Sequence, residues 1–298
     1  MYGRLPSAEV PLMSEVLPQL VKLLSLERLE ENLFRGDSQD LGWGQVFGGQ
    51  VLGQALSAAA QTVPPERVVH SFHGYFLLRG SVDRPIVYDV DRIRDGRSFT
   101  TRRVVAVQRG HAIFSMSASF QVVEEGFEHQ DEMPELPGPE GLPSQMERWR
   151  RVADRIPSPM REQFTAEWPI EIRPIDPINA LAPTPRPPQS ASWLRSNGGL
   201  PDDPAVHQYL LAYASDFNFL NTSMYPHGVS WLSGTMQVAS LDHAMWFHRP
   251  FRMDEWILQV VNSPSASGAR GLVQARFFTR DGRLVASTAQ EGLIRKRG

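Results

Sequence analysis

Of the 24 prolines in this 298-residue chain, 13 lie between positions 134 and 188. Each proline removes a backbone N–H and fixes φ, so this density suits neither regular helix nor a central strand. The segment reads as a connector between two stretches that can each build ordered structure. At this length the chain can hold one large domain or two of ordinary size. With 41% hydrophobic and 21% charged residues it has the balance of a folded globular protein.

The two stretches carry the same order of elements. In the first, FGGQVLGQALSAAAQTVP puts Val51, Leu52, Ala55, Leu56, Ala59 and Ala60 on one helical face, and Gln50, Gly53, Gln54 and Ser57 on the other. A helix buried along one side is expected. Strand-like runs follow at 68–78, 85–93, 98–108 and 111–122, with Arg94-Asp95-Gly96 and Arg109-Gly110 as turn signals. The second stretch opens with Asp203 as a helix cap and Pro204 at the first helical position. Val206, Tyr209, Leu210, Tyr213, Phe217 and Leu220 then recur at helical spacing, and strands are expected at 235–247, 255–262, 269–279 and 283–293.

A shift of 170 puts His73 on His243 and Phe76 on Trp246, and a shift of 172 puts Gly110 on Gly282. The preferred reading is a duplicated unit, each copy an antiparallel sheet wrapped around one long helix. The boundaries fall at 1–130 for the first repeat, 131–165 for the proline-rich connector and 166–298 for the second repeat.

Composition excludes several functions. The net charge of -3 argues against nucleic acid as a main partner, which needs concentrated Lys and Arg. There is no cysteine, so disulfides, zinc–thiolate sites and cysteine nucleophiles are all excluded. No apolar run approaches the roughly 20 residues of a membrane span, and MYGRLPSAEV does not read as a leader. A cytoplasmic protein with no membrane span is expected. The histidines are scattered, so no metal site is expected.

VASLDHAMWFH sets Ser240, Asp242 and His243 within four positions, the composition of a nucleophilic triad. On an unbroken strand, however, Ser240 and Asp242 share one face and His243 points to the other, so a Ser–His hydrogen bond would need a bulge. No G-x-S-x-G turn exposes a serine, and GWGQVFGG has Phe47 where a dinucleotide loop needs its third glycine. Asp216 lies on or beside the apolar face of its helix, where a carboxylate needs partners. Gln290 is a polar group on a half-buried strand, and by itself reads as a cross-strand hydrogen bond.

LFRGDSQDLGWGQVFGGQVLGQAL, RVVHSFHGYFL, GFEHQ, VHQYLLAYASDFNFL, LDHAMWFHRPF, SPSASGARG and LVASTAQEGLIR together resemble the acyl-CoA thioesterase II family, collinearly over most of the chain. The resemblance implies an α+β double hotdog that hydrolyses fatty acyl-CoA, with CoA as part of the substrate and no cofactor. It also implies a water-activating trio, carried onto Asp216 of YASDFNFL, Ser240 before LDHAMW and Gln290 of STAQEG. Bacterial members often have Thr at the hydroxyl position, and serine keeps the donor and acceptor while losing a methyl.

The same shifts put His70 opposite Ser240 and Ala118 opposite Gln290, so the first repeat cannot build a second trio. Gly48 and Gly49, before the first helix, offer N–H donors to a substrate carbonyl or simply a tight helix entry. Arg270 and the small residues of SPSASGARG are candidates for the coenzyme phosphates, or a solvated loop. Two rival functions remain. One is an enoyl-CoA hydratase or dehydratase of the same architecture, which His73 or His243 facing the Asp216 helix would favour. The other is a non-catalytic acyl-CoA-binding protein. Family likeness implies a homodimer or homotetramer.

Overall fold

The computed structural model describes residues 15–156 and 158–297, apart from the side chains of Pro159 and Ser233. The N-terminal stretch read above as lacking a leader lies outside the described residues. Helix α1 (Val16–Leu24) leads into a hairpin of β1 (Glu27–Glu30) and β2 (Leu33–Gly36). Then come α2 (Gly48–Ala60), β3 (Arg67–Phe76), β4 (Ile86–Asp95), β5 (Phe99–Gln108) and β6 (His111–Val122). The proline-rich segment supplies α3 (Gln145–Arg150), α4 (Ser158–Thr165) and β7 (Ile170–Pro174). After β8 (Gln189–Ser196) and α5 (Pro204–Ser215), two 3-10 segments (Leu220–His227 and Trp231–Ser233) precede β9 (Met236–Ser240). The chain ends with β10 (Asp242–Phe247), β11 (Ile257–Ser267), β12 (Arg270–Thr279) and β13 (Leu284–Lys296).

The strands form one sheet in the order β1-β2-β4-β5-β6-β3-β10-β13-β12-β11-β8-β7, with β9 also on β13. Helix-then-sheet occurs twice, and the copies meet where β3 pairs antiparallel with β10, from Asp242 opposite Tyr75 to Trp246 opposite Ser71. This is the double-hotdog architecture. Its Arg109-Gly110 turn has positive φ at both residues (52° and 77°), as a two-residue hairpin of primed type requires.

Helices α2 and α5 lie side by side on the inner face. A Cβ on Gly49 would stand 2.2 Å from the Tyr213 carbonyl oxygen, and one on Gly53 would stand 3.1 Å from that of Tyr209. The helices therefore run antiparallel, and the glycines let their backbones touch. This corrects the one-sided burial expected of α2: Gln50, Gln54 and Ser57 are buried as well. The glutamines satisfy backbone that would otherwise be orphaned. Gln54 donates to the carbonyls of Leu23 (2.7 Å) and Asp37 (2.9 Å) and accepts from the Tyr88 hydroxyl (2.6 Å).

The connector holds more regular structure than its prolines predict. Helix α3 fits the proline-free run 144–156 and begins with a capping box, in which the Ser144 hydroxyl and the Glu147 carboxylate each accept the other's backbone N–H. Strand β7 ends at Pro174 on the outer edge of the sheet, where a missing donor breaks no ladder.

Candidate functional site

The site forms where α5 ends against the start of α2. Asp203 caps α5, accepting from the Ala205 N–H at 3.0 Å, with Pro204 in the first turn as expected. Asp216 is the residue that ends the helix. Two residues later Asn218 takes a left-handed conformation (φ 56°), tolerated by its short polar side chain, and turns the chain away. The carboxylate is thereby left beside the last turn of α5, where unpaired carbonyls disfavour negative charge, and at the opening of α2, where unpaired N–H groups favour it.

Strand β13 brings Gln290 to the same point, and β9 brings Ser240. The amide nitrogen of Gln290 donates to Ser240 Oγ at 2.8 Å, and Ser240 Oγ donates to Asp216 Oδ1 at 3.5 Å. Burial pushes the Asp216 carboxyl up to about 7, opposed by hydrogen bonds from Gln290, the Gly49 N–H and Ser240. The three residues line one cleft of about 350 Å³, with Phe47, Trp168, Phe217 and Phe219 among its apolar walls.

The apparent triad does not form, although the reason differs from simple alternation. The strand expected across 235–247 breaks at Leu241: Ser240 pairs with Gly292, but Ala244 pairs with Ala289. This one-residue slip turns His243 to the same side as Ser240. His243 nevertheless bonds Gln290 rather than the serine, its Nδ1 standing 2.6 Å from Gln290 Oε1. Asp242 instead accepts the Glu291 N–H at 2.6 Å.

The network fixes proton positions. The Asp216 carboxylate requires the NH₂ of Gln290 to face it, so the amide oxygen faces His243, and Nδ1 must carry a proton to donate to it. Burial lowers the His243 pKa to about 4, so the ring is neutral near pH 7 and its Nε2 is an acceptor. Ser215 Oγ stands 3.0 Å from that nitrogen and 2.9 Å from the Ala212 carbonyl, so its one proton is shared between these two acceptors. Thus a fully buried histidine (0% exposed) ties the Gln290 amide to the residue preceding the carboxylate. Pattern reading missed this role, since the side chain speaks to Gln290, 47 positions away.

Gly48 lines the cleft, and a Cβ there would stand 2.6 Å from Asp216 Oδ2. The Gly49 N–H is directed at the carboxylate and not at the open cleft. Arg270 lies outside the cleft, its Nε donating to Glu291 at 2.9 Å on the sheet face opposite Gln290. SPSASGARG is no open loop: 265–267 pair with 270–272 around a tight turn at Gly268-Ala269, so those N–H groups sit in a hairpin. His243 does face the Asp216 helix, the feature that would favour a hydratase. Both its nitrogens are engaged and it has no exposure to the cleft, while His73 is exposed, packed edge-on to Trp246.

Comparison with solved structures defines the class first. A hotdog-fold protein from Alicyclobacillus acidocaldarius superposes with a TM-score of 0.73 at 18% identity, over 94% of this chain and 99% of that one, which establishes the fold. An acyl-CoA thioesterase II from Mycobacterium marinum superposes with a TM-score of 0.76 at 44% identity, with the same coverage of 94% and 99%. Family models for acyl-CoA thioesterase and for the acyl-CoA thioesterase N-terminal domain match residues 159–293 and 38–121. The chain is 46% identical to acyl-CoA thioesterase 2 of Haemophilus influenzae, over 95% of this chain and 99% of the relative. It is 41% identical to human acyl-coenzyme A thioesterase 8, over 92% and 88%. The chain belongs to the acyl-CoA thioesterase family.

Proposed function

We propose that the chain hydrolyses acyl-CoA thioesters, fatty acyl-CoA in particular, to the free acid and CoA, using a water activated by Asp216, Ser240 and Gln290. The observation that carries this reading is the meeting of these three side chains in one apolar cleft. A simple thiol has a pKa of about 8.5, so the leaving group needs little protonation and the demand falls on activating water. Asp216 takes the proton as the water oxygen attacks the thioester carbonyl carbon. The tetrahedral adduct then expels the CoA thiolate as the C–S bond breaks. Ser240 and Gln290 hold the water, and general-base assistance of this kind is worth roughly 10² to 10⁴-fold. Gly48, at the positive end of α2, is the donor best situated for the developing oxyanion, since Gly49 serves the carboxylate.

Thiol release from a panel of acyl-CoAs tests the activity and separates it from simple binding, which frees no thiol. Asp216→Asn should lower kcat by about two orders of magnitude or more with a modest change in KM. Near-normal turnover in that variant would remove the assignment. A cytoplasmic location and assembly as a homodimer or homotetramer belong to the same proposal. The assembly is supported by Tyr75 and Trp246, exposed on neighbouring strands at the junction of the repeats. Light scattering of the purified chain decides the assembly, and a monomer would end that part.

A further inference from the structure

The catalytic cleft shares a wall with a second chamber. Trp149, Phe217, Asn218, Phe219, Asn221 and Trp231 line both, and the second space measures about 330 Å³, within the range of small-ligand sites. Its floor is the inner face of β8 and β11, where Ser192 pairs with Gln259 and Ser190 with Val261. The proline-rich connector covers it, contributing Arg148 and Trp149 from α3 and then Arg155.

The two chambers differ in chemistry. Both are walled largely by apolar side chains, but the second chamber adds two guanidinium groups, the amides of Gln145 and Gln259 and the hydroxyls of Ser190 and Ser192. Gln259 is 6% exposed, and its amide nitrogen is buried without a hydrogen-bond partner. Such a donor costs about 1–3 kcal/mol when left unmet, so a native site that keeps one has a use for it. Arg148 is half-buried and Arg155 exposed, and among the described residues neither makes an ion pair. Burial and the neighbouring Arg151 hold the Arg148 pKa below its usual value, as expected for a cation lacking a counter-charge. Asp176, the one acidic residue lining the chamber, is already paired with Arg186.

We propose that this chamber receives the coenzyme arm of the thioester, with its phosphates on Arg148 and Arg155 and a pantetheine amide on Gln259, while the acyl chain stays in the aromatic cleft. The inference rests on the thioesterase reading. It moves the phosphate-binding role from Arg270, whose guanidinium is already paired with Glu291, to the connector. The connector thereby becomes part of the binding site.

The test compares one acyl group carried on CoA and on pantetheine, which keeps both amides but lacks the diphosphate and adenosine. Arg148→Ala/Arg155→Ala should raise KM for the CoA thioester about 10 to 100-fold, the range for losing charge-assisted hydrogen bonds, with kcat nearly unchanged. Kinetics on the pantetheine thioester should not move. Gln259→Leu should raise KM for both carriers. Arg155→Glu alone, at an exposed position that folding does not need, should raise KM for CoA only. The proposal is overturned if the arginine variants leave KM for CoA unchanged, affect both carriers equally, or shift chain-length preference instead. If the wild-type chain releases no thiol from either carrier, the enzymatic reading fails. Calorimetric binding of free CoA to wild type and the double variant then still decides the chamber, with equal affinities counting against it.

Discussion

In the proposed mechanism Asp216 has to be both a buried group and a base, and these demands conflict. Its carboxyl is pushed up to about 7 by burial, so it is half-ionised near neutrality. The kcat/KM profile should rise with pH and level off above about 7, read as the acid limb of steady-state rates on an acyl-CoA. Gln290 opposes the rise by donating to the charged form, so Gln290→Leu should move that limb to higher pH as well as slow turnover. Stability follows the same linkage. A carboxyl whose folded pKa lies above its unfolded value stabilises the fold below about pH 4, and that contribution is lost as pH climbs through about 7. Asp216→Asn should therefore melt above wild type at pH 8, with the advantage vanishing below pH 4 in parallel thermal scans. His243 acts one step further out. Its ring lies 6.0 Å from that of Phe72 and 5.8 Å from that of Phe219, so His243→Phe suits the packing but frees the Gln290 amide to rotate. We expect kcat to fall about 10 to 100-fold, with KM steady and the acid limb moved upward. A change in melting temperature with unaltered kcat would mean His243 only fills space. Asp216 was readable as an anomaly, since a carboxylate on an apolar helical face asks for an explanation. Gln290 alone was not, because a polar residue on a half-buried strand has many ordinary uses.

Helix contact explains why two adjacent glycines behave differently. A Cβ at position 49 would strike the Tyr213 carbonyl oxygen, which belongs to a helix backbone and cannot yield without separating α2 from α5. Gly49→Ala should cost about 1–3 kcal/mol or more of stability, measured by urea unfolding. At position 48 the nearest atom is Asp216 Oδ2, the end of a side chain, so Gly48→Ala should displace the carboxylate and depress kcat with a smaller loss of stability. Helices α2 and α5 and most strands were legible, because period and turn chemistry are local properties, whereas α1 and the two short helices of the connector were not read. The break at Leu241 was not. It exists because β13 pairs with Ser240 and with Ala244 in registers one residue apart, a fact of tertiary pairing invisible along 235–247 alone. The all-round burial of α2 escaped for a related reason: Gln50 and Gln54 read as a solvent face, whereas both donate to the Asp37 carbonyl.

The two repeats supply two equivalent corners, and the proposed catalytic trio is complete only in the second. Across the β12–β13 pair, Val273 stands opposite Gln290; across β5–β6, Arg102 stands opposite Ala118. Where the second repeat opens a cleft beside the end of α5, the first repeat fills the space beside the end of α2 with that arginine, 1% exposed. Its guanidinium donates to Thr62 Oγ1 at 2.8 Å and the Thr62 carbonyl at 3.1 Å, just past α2, and to Asp95 at 2.6 Å. An anchor of this kind serves stability and leaves no room for substrate. Arg102→Met keeps the apolar stem but strands the Thr62 carbonyl and hydroxyl without their donor. We expect a loss of about 2–4 kcal/mol in urea unfolding, set by several buried hydrogen bonds to a charged group, with kcat on acyl-CoA unchanged at temperatures where the variant is folded. A fall in kcat without loss of stability would instead show that the first repeat's corner communicates with the trio, and that the two ends of the sheet are not independent.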